Sequence, residues 1–129
     1  MIEYAVRGPV DDAELSRLHA AAFDVPVVLQ PWAARLAAHS LTWVTATDDR
    51  LVGFVNVAWD GGAHAFLLDT VVDPDRQGAG IGRALVAAAT RAAAAAGCAW
   101  LHVDHVEELT PFYAACGFRP TAAGLIRLV

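Results

Sequence analysis

The sequence predicts a mixed α/β domain with a mostly antiparallel central sheet flanked by helices. Three observations carry that expectation. Apolar, β-rich runs at 40–47, 51–59 and 63–72 are separated only by Asp48-Asp49-Arg50 and Asp60-Gly61-Gly62, which are turn residues. An alanine-rich run over 81–96 repeats its larger apolar side chains at helical spacing. Between the last strand run and this helix lies DPDRQGAGIGRAL (73–85), with glycines at 78, 80 and 82. The 129 residues fit one domain, 1–129, large enough to fold on its core alone.

The elements follow in order along the chain. Ile2–Val6 reads as a short strand. Asp11 is placed to cap a helix, with Glu14 three residues on as in a capping box. Leu15, Leu18 and Ala22 then share one face, and Pro26 ends the helix. Pro31 suits the first position of a second helix reaching His39. SLTWVTAT (40–47) and LVGFVNVAW (51–59) form a hairpin, in which Trp43 and Trp59 alternate with apolar residues and read as core. AHAFLLDTVV (63–72) is apolar on both faces and therefore central. In the helix 81–96, Ile81, Leu85, Ala88 and Ala92 line one side, Arg83, Thr90 and Arg91 the other, and Gly97 stops it. AWLHVD (99–104) is a further strand. Thr110 as cap, Pro111 at the first position and Gly117 past the end define a short helix, PFYAAC. A last extended stretch from Phe118 through GLIRLV completes the order β-α-α-β-β-β-α-β-α-β.

Composition excludes several classes of function. The net charge of −5 argues against a nucleic-acid partner, whose recognition needs a basic face, and favours cationic or neutral substrates. The longest apolar stretch, Ala84–Ala96, is too short to span a membrane and contains Thr90 and Arg91, so no membrane partner is expected. The first residues, MIEYAVRGPVDDAEL, are charged early and lack the apolar segment of a signal peptide, which points to a cytoplasmic protein. Cys98 and Cys116 form neither a C-x-x-C pair nor a zinc set and are expected to be thiols. His102 and Asp104 share a strand face beside His105, but no third ligand is evident and no metal is expected. A homodimer is left open.

The glycine joint is either a tight turn or a cradle for an anion. A strand, a glycine turn and a helix start make an anion site, because the first helical N–H groups lack internal partners and carry the positive end of the helix dipole. Arg76 and Arg83 are placed to add charge. A Walker loop needs Gly-Lys-Ser/Thr, but Gly82 is followed by Arg83-Ala84. The dinucleotide fingerprint G-x-G-x-x-G meets Arg83 or Leu85 at its third glycine. The remaining pattern, Q/R-x-x-G-x-G/A, is met by Gln77, Gly80 and Gly82.

With that pattern the chain resembles the GNAT superfamily of N-acetyltransferases. LLDTVVDPDRQGAGIGRAL resembles the family's central strand, pyrophosphate loop and helix. PFYAACGF resembles its later signature, a Tyr followed by four residues ending in Gly-Phe. The resemblance implies the acyl-CoA N-acyltransferase fold and acetyl-CoA as cosubstrate. It assigns the pyrophosphate to Gln77, Gly78, Ala79, Gly80, Ile81, Gly82 and Arg83, and pairs the pantetheine arm with the backbone of Val71 and Val72. An Asn that many members carry seven residues before the signature Tyr is Val106 here.

Acetyl transfer needs a neutral amine, an oxyanion donor and a proton for the leaving thiolate. The resemblance makes Tyr113 the proton donor, and a phenol and a thiol have similar enough affinities for a proton. Phe112 and Tyr113 as plain core anchors are the alternative. Asp69 lies three residues before Val72, where many members carry an acid, and is the candidate for receiving the amine or its proton. A structural carboxylate is the alternative there, and His64, on the opposite strand face, is a weaker candidate. Substrate choice falls to the first two helices, 12–39, where Trp32 is the best acceptor-site candidate, and to the later loops; Glu107 and Glu108 sit at the cleft rim. The expected activity is acetyl transfer to a primary amine of a small molecule by direct attack in a ternary complex. Its alternatives are a protein amine as acceptor and an acyl-CoA-binding sensor module without catalysis.

Overall fold

The computed structural model describes residues 1–129. Its helices are α1 (Asp12–Phe23), α2 (Trp32–His39), α3 (Ile81–Ala95) and α4 (Thr110–Ala115). Its strands are β1 (Glu3–Val6), β2 (Ser40–Asp48), β3 (Arg50–Trp59), β4 (His64–Val72) and β5 (Trp100–Val103), in one sheet of order β1-β2-β3-β4-β5. Neighbours pair antiparallel from β1 to β4, and only β4 and β5 run parallel. A parallel pair needs a crossover, and α3 is that crossover.

The sheet separates two cores. On one face Leu85, Val86 and Ala89 of α3 pack with Val44, Ala46, Val55 and Val57. On the other, Leu15 and Leu18 of α1 and Trp32 and Leu36 of α2 pack with Trp43, Phe54 and Val71. Phe54, Leu15, Leu36 and Leu85 are fully buried, each contributing about 1.5–3 kcal/mol on leaving water. Gly53 lets α3 lie close to the sheet: a Cβ there would stand 2.9 Å from Leu85 Cδ1 and 3.2 Å from Ala46 Cβ.

Local signals set the element ends. The Glu14 N–H donates to Asp11 Oδ1 at 2.8 Å, so Asp11 caps α1. Glu14 does not close the capping box; its carboxylate accepts from the Leu51 N–H at 3.0 Å and ties α1 to β3. Asp24 in the left-handed region ends α1, two residues before Pro26. Asp49, at φ 58°, turns the β2–β3 hairpin alone. Gly97, at φ 91°, follows the end of α3.

Several expectations are corrected. Thr110 is the first residue of α4 and not its cap, because a short 3₁₀ turn over Glu107–Leu109 already leads the chain in. The stretch after Phe118 joins no sheet, and residues 119–129 are exposed without regular structure. Pro120 lacks a ladder donor and Gly124 weakens any strand through it. Trp43 is core, with its indole N–H donating to the Gly8 carbonyl, but Trp59 at the end of β3 is exposed. β4 is central in the sheet, yet Phe66 and Leu68 are exposed. The α1–α2 layer covers only the end of β4 that carries Val71.

Candidate active site

The site is organised by one extra residue in β4. Asn56 pairs with Leu68 and Phe54 with Val71, so β4 takes one more step than β3 between the same two rungs. Asp69 sits in this bulge at φ 55°, a conformation that Asp tolerates better than most residues. The bulge reverses the face alternation. Ala65 and Leu67 pack in the α3 core, but beyond the bulge Val71 joins the α1–α2 core and Val72 packs toward α3. It also bends the strand. β5 pairs only with His64–Leu67, so one edge of Leu68–Val72 has no neighbouring strand.

The free edge has a definite polarity. The Asp73 N–H donates to the Val52 carbonyl of β3 at 2.8 Å. By the alternation of an antiparallel ladder, the backbone of Val71 also faces β3, and the N–H and C=O of Val72 face the open side. Of the two valines expected to pair with a pantetheine arm, Val72 alone turns its backbone outward, and its carbonyl accepts from Gln77 Nε2 at 3.5 Å. Val71 is buried beneath it.

The loop after β4 is held at its start. Asp73 accepts from the Asp75 N–H at 2.9 Å and from Arg50 at 2.6 Å. Arg76 bonds Asp48 at 2.6 Å, which lowers the Asp48 pKa and raises that of Arg76. Arg76 therefore anchors the loop to the hairpin and does not add free charge to the cradle, as the sequence suggested. The loop then opens. Gln77, Gly78, Ala79 and Gly80 are exposed, with Gly78 at φ 80° and Gly80 at φ 85°. A Cβ on either glycine would meet nothing within 4 Å, so these two are required by conformation. Gly82 differs, since a Cβ there would stand 3.2 Å from the Phe112 ring. Ile81 is buried in the core, leaving its backbone N–H as its contribution to the loop. The start of α3 has no side-chain cap and no acidic residue in its first turn, whereas α1 has Asp11, Asp12 and Glu14. Arg83 is exposed there without a carboxylate partner.

Tyr113 is 6% exposed. Its ring stacks on His105 at 4.8 Å and meets Phe112 and Phe118 edge-on. Burial raises its pKa above 10.0, and the neighbouring Thr70 side chain pulls it partly back. Thr70 follows Asp69 in the unpaired part of β4, so the phenol sits against the bulge. Burial likewise raises the pKa of the nearby Cys116 thiol, opposed by the charge of Arg83.

Asp69 turns to the other face. Its Oδ1 lies 3.1 Å from Nε2 of His19 on α1. The pair borders a cavity of about 320 Å³ between α1, α2 and the segment joining them, also lined by Gln30, Trp32 and Arg35. Trp32 is 2% exposed, and its indole N–H is buried without a hydrogen-bond partner. The Arg35 guanidinium lies 4.8 Å from the centre of the Trp32 ring and donates to Gln30 at 2.9 Å, with no carboxylate partner.

The remaining candidates lie apart. His64 meets His102 at 2.8 Å on the exposed side of β4 and β5. His105 bonds the Val106 carbonyl. No group of three or more His, Cys, Asp or Glu side chains gathers to hold a metal ion. No helix is long and apolar enough to cross a membrane. Reading the sequence missed His19 and Arg35. A signal existed: His19 falls on the apolar face of α1 with Leu15 and Ala22, and Arg35 adjoins Leu36 one turn after Trp32.

Known proteins share both the fold and part of the sequence. A glucosamine 6-phosphate N-acetyltransferase from Trypanosoma brucei brucei is 39% identical over 59 residues, which is 46% of this chain and 40% of that protein's length. A GNAT family acetyltransferase from Streptococcus pneumoniae TIGR4 superposes with a TM-score of 0.80 at 24% identity, over 100% of this chain and 98% of its own. A glucosamine-6-phosphate N-acetyltransferase from Arabidopsis thaliana does so with a TM-score of 0.77 at 13% identity, over 97% of both chains. At these identities the two solved structures speak to the fold alone. The sequence itself carries the family: the model of the acetyltransferase (GNAT) family matches residues 10–118, from before the α1 cap through Tyr113 to Phe118, and the chain belongs to that family of N-acetyltransferases.

Proposed function

We propose that the protein moves an acetyl group from acetyl-CoA to a primary amine of a small molecule, by direct attack within a ternary complex. The observation that carries this reading is the β4 bulge. On one side lie the free edge, the open loop and Tyr113; on the other, Asp69 and the cavity.

Each residue then has a role. The backbone of Gln77, Gly78, Ala79, Gly80, Ile81 and Gly82 receives the pyrophosphate, with Arg83 adding charge. Val72 pairs with the pantetheine arm, and its N–H faces the thioester oxygen as negative charge develops. Val71 supports that strand from below. Asp69 receives the amine. Tyr113, kept protonated by burial, gives its proton to the departing thiolate.

The cavity favours a small molecule over a protein amine, and its charges describe the acceptor. Asp69 suits an ammonium group. Arg35, which borders the cavity without a carboxylate partner, suits an anionic group on the same molecule. The relatives named for glucosamine 6-phosphate bear a name with both features. Thiol release is to be measured with glucosamine 6-phosphate, glucosamine, a simple diamine and a peptide amine. The phosphorylated amine is expected to turn over best. Arg35→Ala should raise its KM about tenfold or more, the scale of one hydrogen bond to a charged group. Acetylation of the peptide alone contradicts the small-molecule acceptor; acetyl-CoA binding without transfer to any amine contradicts catalysis.

A further inference from the structure

We infer that His19 is the base that takes the proton from the acceptor amine, with Asp69 as its positioning residue. The inference rests on the acetyltransferase reading of this site and reassigns the proton within it.

The two residues are fifty positions apart, and their contact is made by the fold. An ionised carboxylate only accepts hydrogen bonds, so the 3.1 Å contact places the ring proton on Nε2. In the neutral ring this leaves the lone pair on Nδ1. Asp69 thus fixes the tautomer and the ring orientation, as a carboxylate does for any imidazole base. The ring is also held by its neighbours, Phe23 at 4.7 Å and Trp32 at 5.2 Å between centroids. Its side chain and that of Asp69 are 28% and 31% exposed, so a small molecule in the cavity can reach both. The bulge explains the Asp69 conformation: a non-glycine residue at φ 55° is a local strain, and here it aims a carboxylate across the sheet at α1. Asp69 and Arg35 are the charged groups that border this cavity with His19.

The step balances. The neutral amine nitrogen attacks the thioester carbon, the C–N bond forms, and the C–S bond breaks. The surplus N–H proton passes to Nδ1 of His19, making imidazolium. The thiolate takes the proton of Tyr113, and solvent later returns the imidazolium proton to the phenolate.

The test uses the whole chain, with acetyl-CoA and glucosamine 6-phosphate or whichever panel amine is fastest. His19→Gln keeps an N–H for Asp69 and should lower kcat about 10²-fold or more. Its acetyl-CoA affinity should stay within a few fold. His19→Ala should regain at least about tenfold of its activity with added imidazole, a readout that loss of a structural contact does not give. On the wild-type protein, the ¹³C-labelled His19 ring resonance should move when amine saturates the coenzyme complex. This arm serves if the variants fail to fold. Wild-type kcat in folded His19→Gln, absence of imidazole rescue in folded His19→Ala, or a stationary resonance each overturns the inference alone. A wild-type protein that binds acetyl-CoA but acetylates no amine removes the underlying reading as well.

Discussion

At Asp69 the backbone conformation of one residue sets what its side chain meets: the bulge turns the carboxylate to His19, while Thr70, the next residue, neighbours Tyr113. The resemblance to the GNAT family made Asp69 and Tyr113 visible, since it places an acid three residues before Val72 and a Tyr before Gly117-Phe118. For His19 the sequence offers only its place on the apolar face of α1, since its partner is fifty residues away and nothing local announces the pairing. Tyr113→Phe keeps the ring and its packing on His105, so kcat should fall about 10²-fold or more while acetyl-CoA affinity changes little. Steady-state rates beside calorimetric affinity check this, and a wild-type rate with chemistry limiting would leave the ring as a core anchor. Because burial raises this pKa, the alkaline loss of activity it controls should lie above pH 10. The unfolded chain releases the phenolic proton first, so its contribution to stability is present below pH 10 and is lost as pH rises toward the folded value. Gly80→Glu should abolish acetyl-CoA binding, since bulk and negative charge enter the loop at a left-handed position. Gly80→Ala, whose Cβ meets nothing, should cost only backbone strain of about 1–2 kcal/mol. Equal affinity in Gly80→Glu and wild type would remove the pyrophosphate from this loop.

At the scale of elements, the helices and strands were legible wherever period and punctuation agreed. α1 begins at its Asp11 cap, the hairpin turns at Asp49 and α3 stops before Gly97. The bulge was not legible, because LLDTVV is strand-like throughout and the extra step shows only against β3. GLIRLV has the apolar side chains of a final strand, but Pro120 and Gly124 oppose one and the chain forms none there. Gly53 carried no sequence signal either, yet it decides how closely α3 approaches the sheet. Gly53→Val should lower stability by about 1–3 kcal/mol through overpacking against Leu85, Ile81 and Ala46. Urea unfolding would show it as a lower midpoint at unchanged slope. An unchanged midpoint would mean that α3 can shift at no cost.

For the whole molecule, the free edge of β4, the start of α3 and the cavity beside Asp69 lie exposed around the same bend in β4. A ligand that joins these parts should stabilise the fold by linkage, about 2.7 kcal/mol for acetyl-CoA at 100 times its Kd. ATP and NAD should give smaller shifts in Tm, because the loop has neither the Walker lysine nor the dinucleotide glycine spacing. A larger shift with NAD would reverse the assignment of the loop. In the proposed reaction coenzyme and amine meet across the bulge and react directly. Initial rates with acetyl-CoA and the preferred amine varied together, and the product identified by mass spectrometry, test it most directly. Intersecting reciprocal plots with an N-acetylated product are expected. Parallel plots with an acetylated enzyme, or thiol release without an acetylated amine, would contradict it.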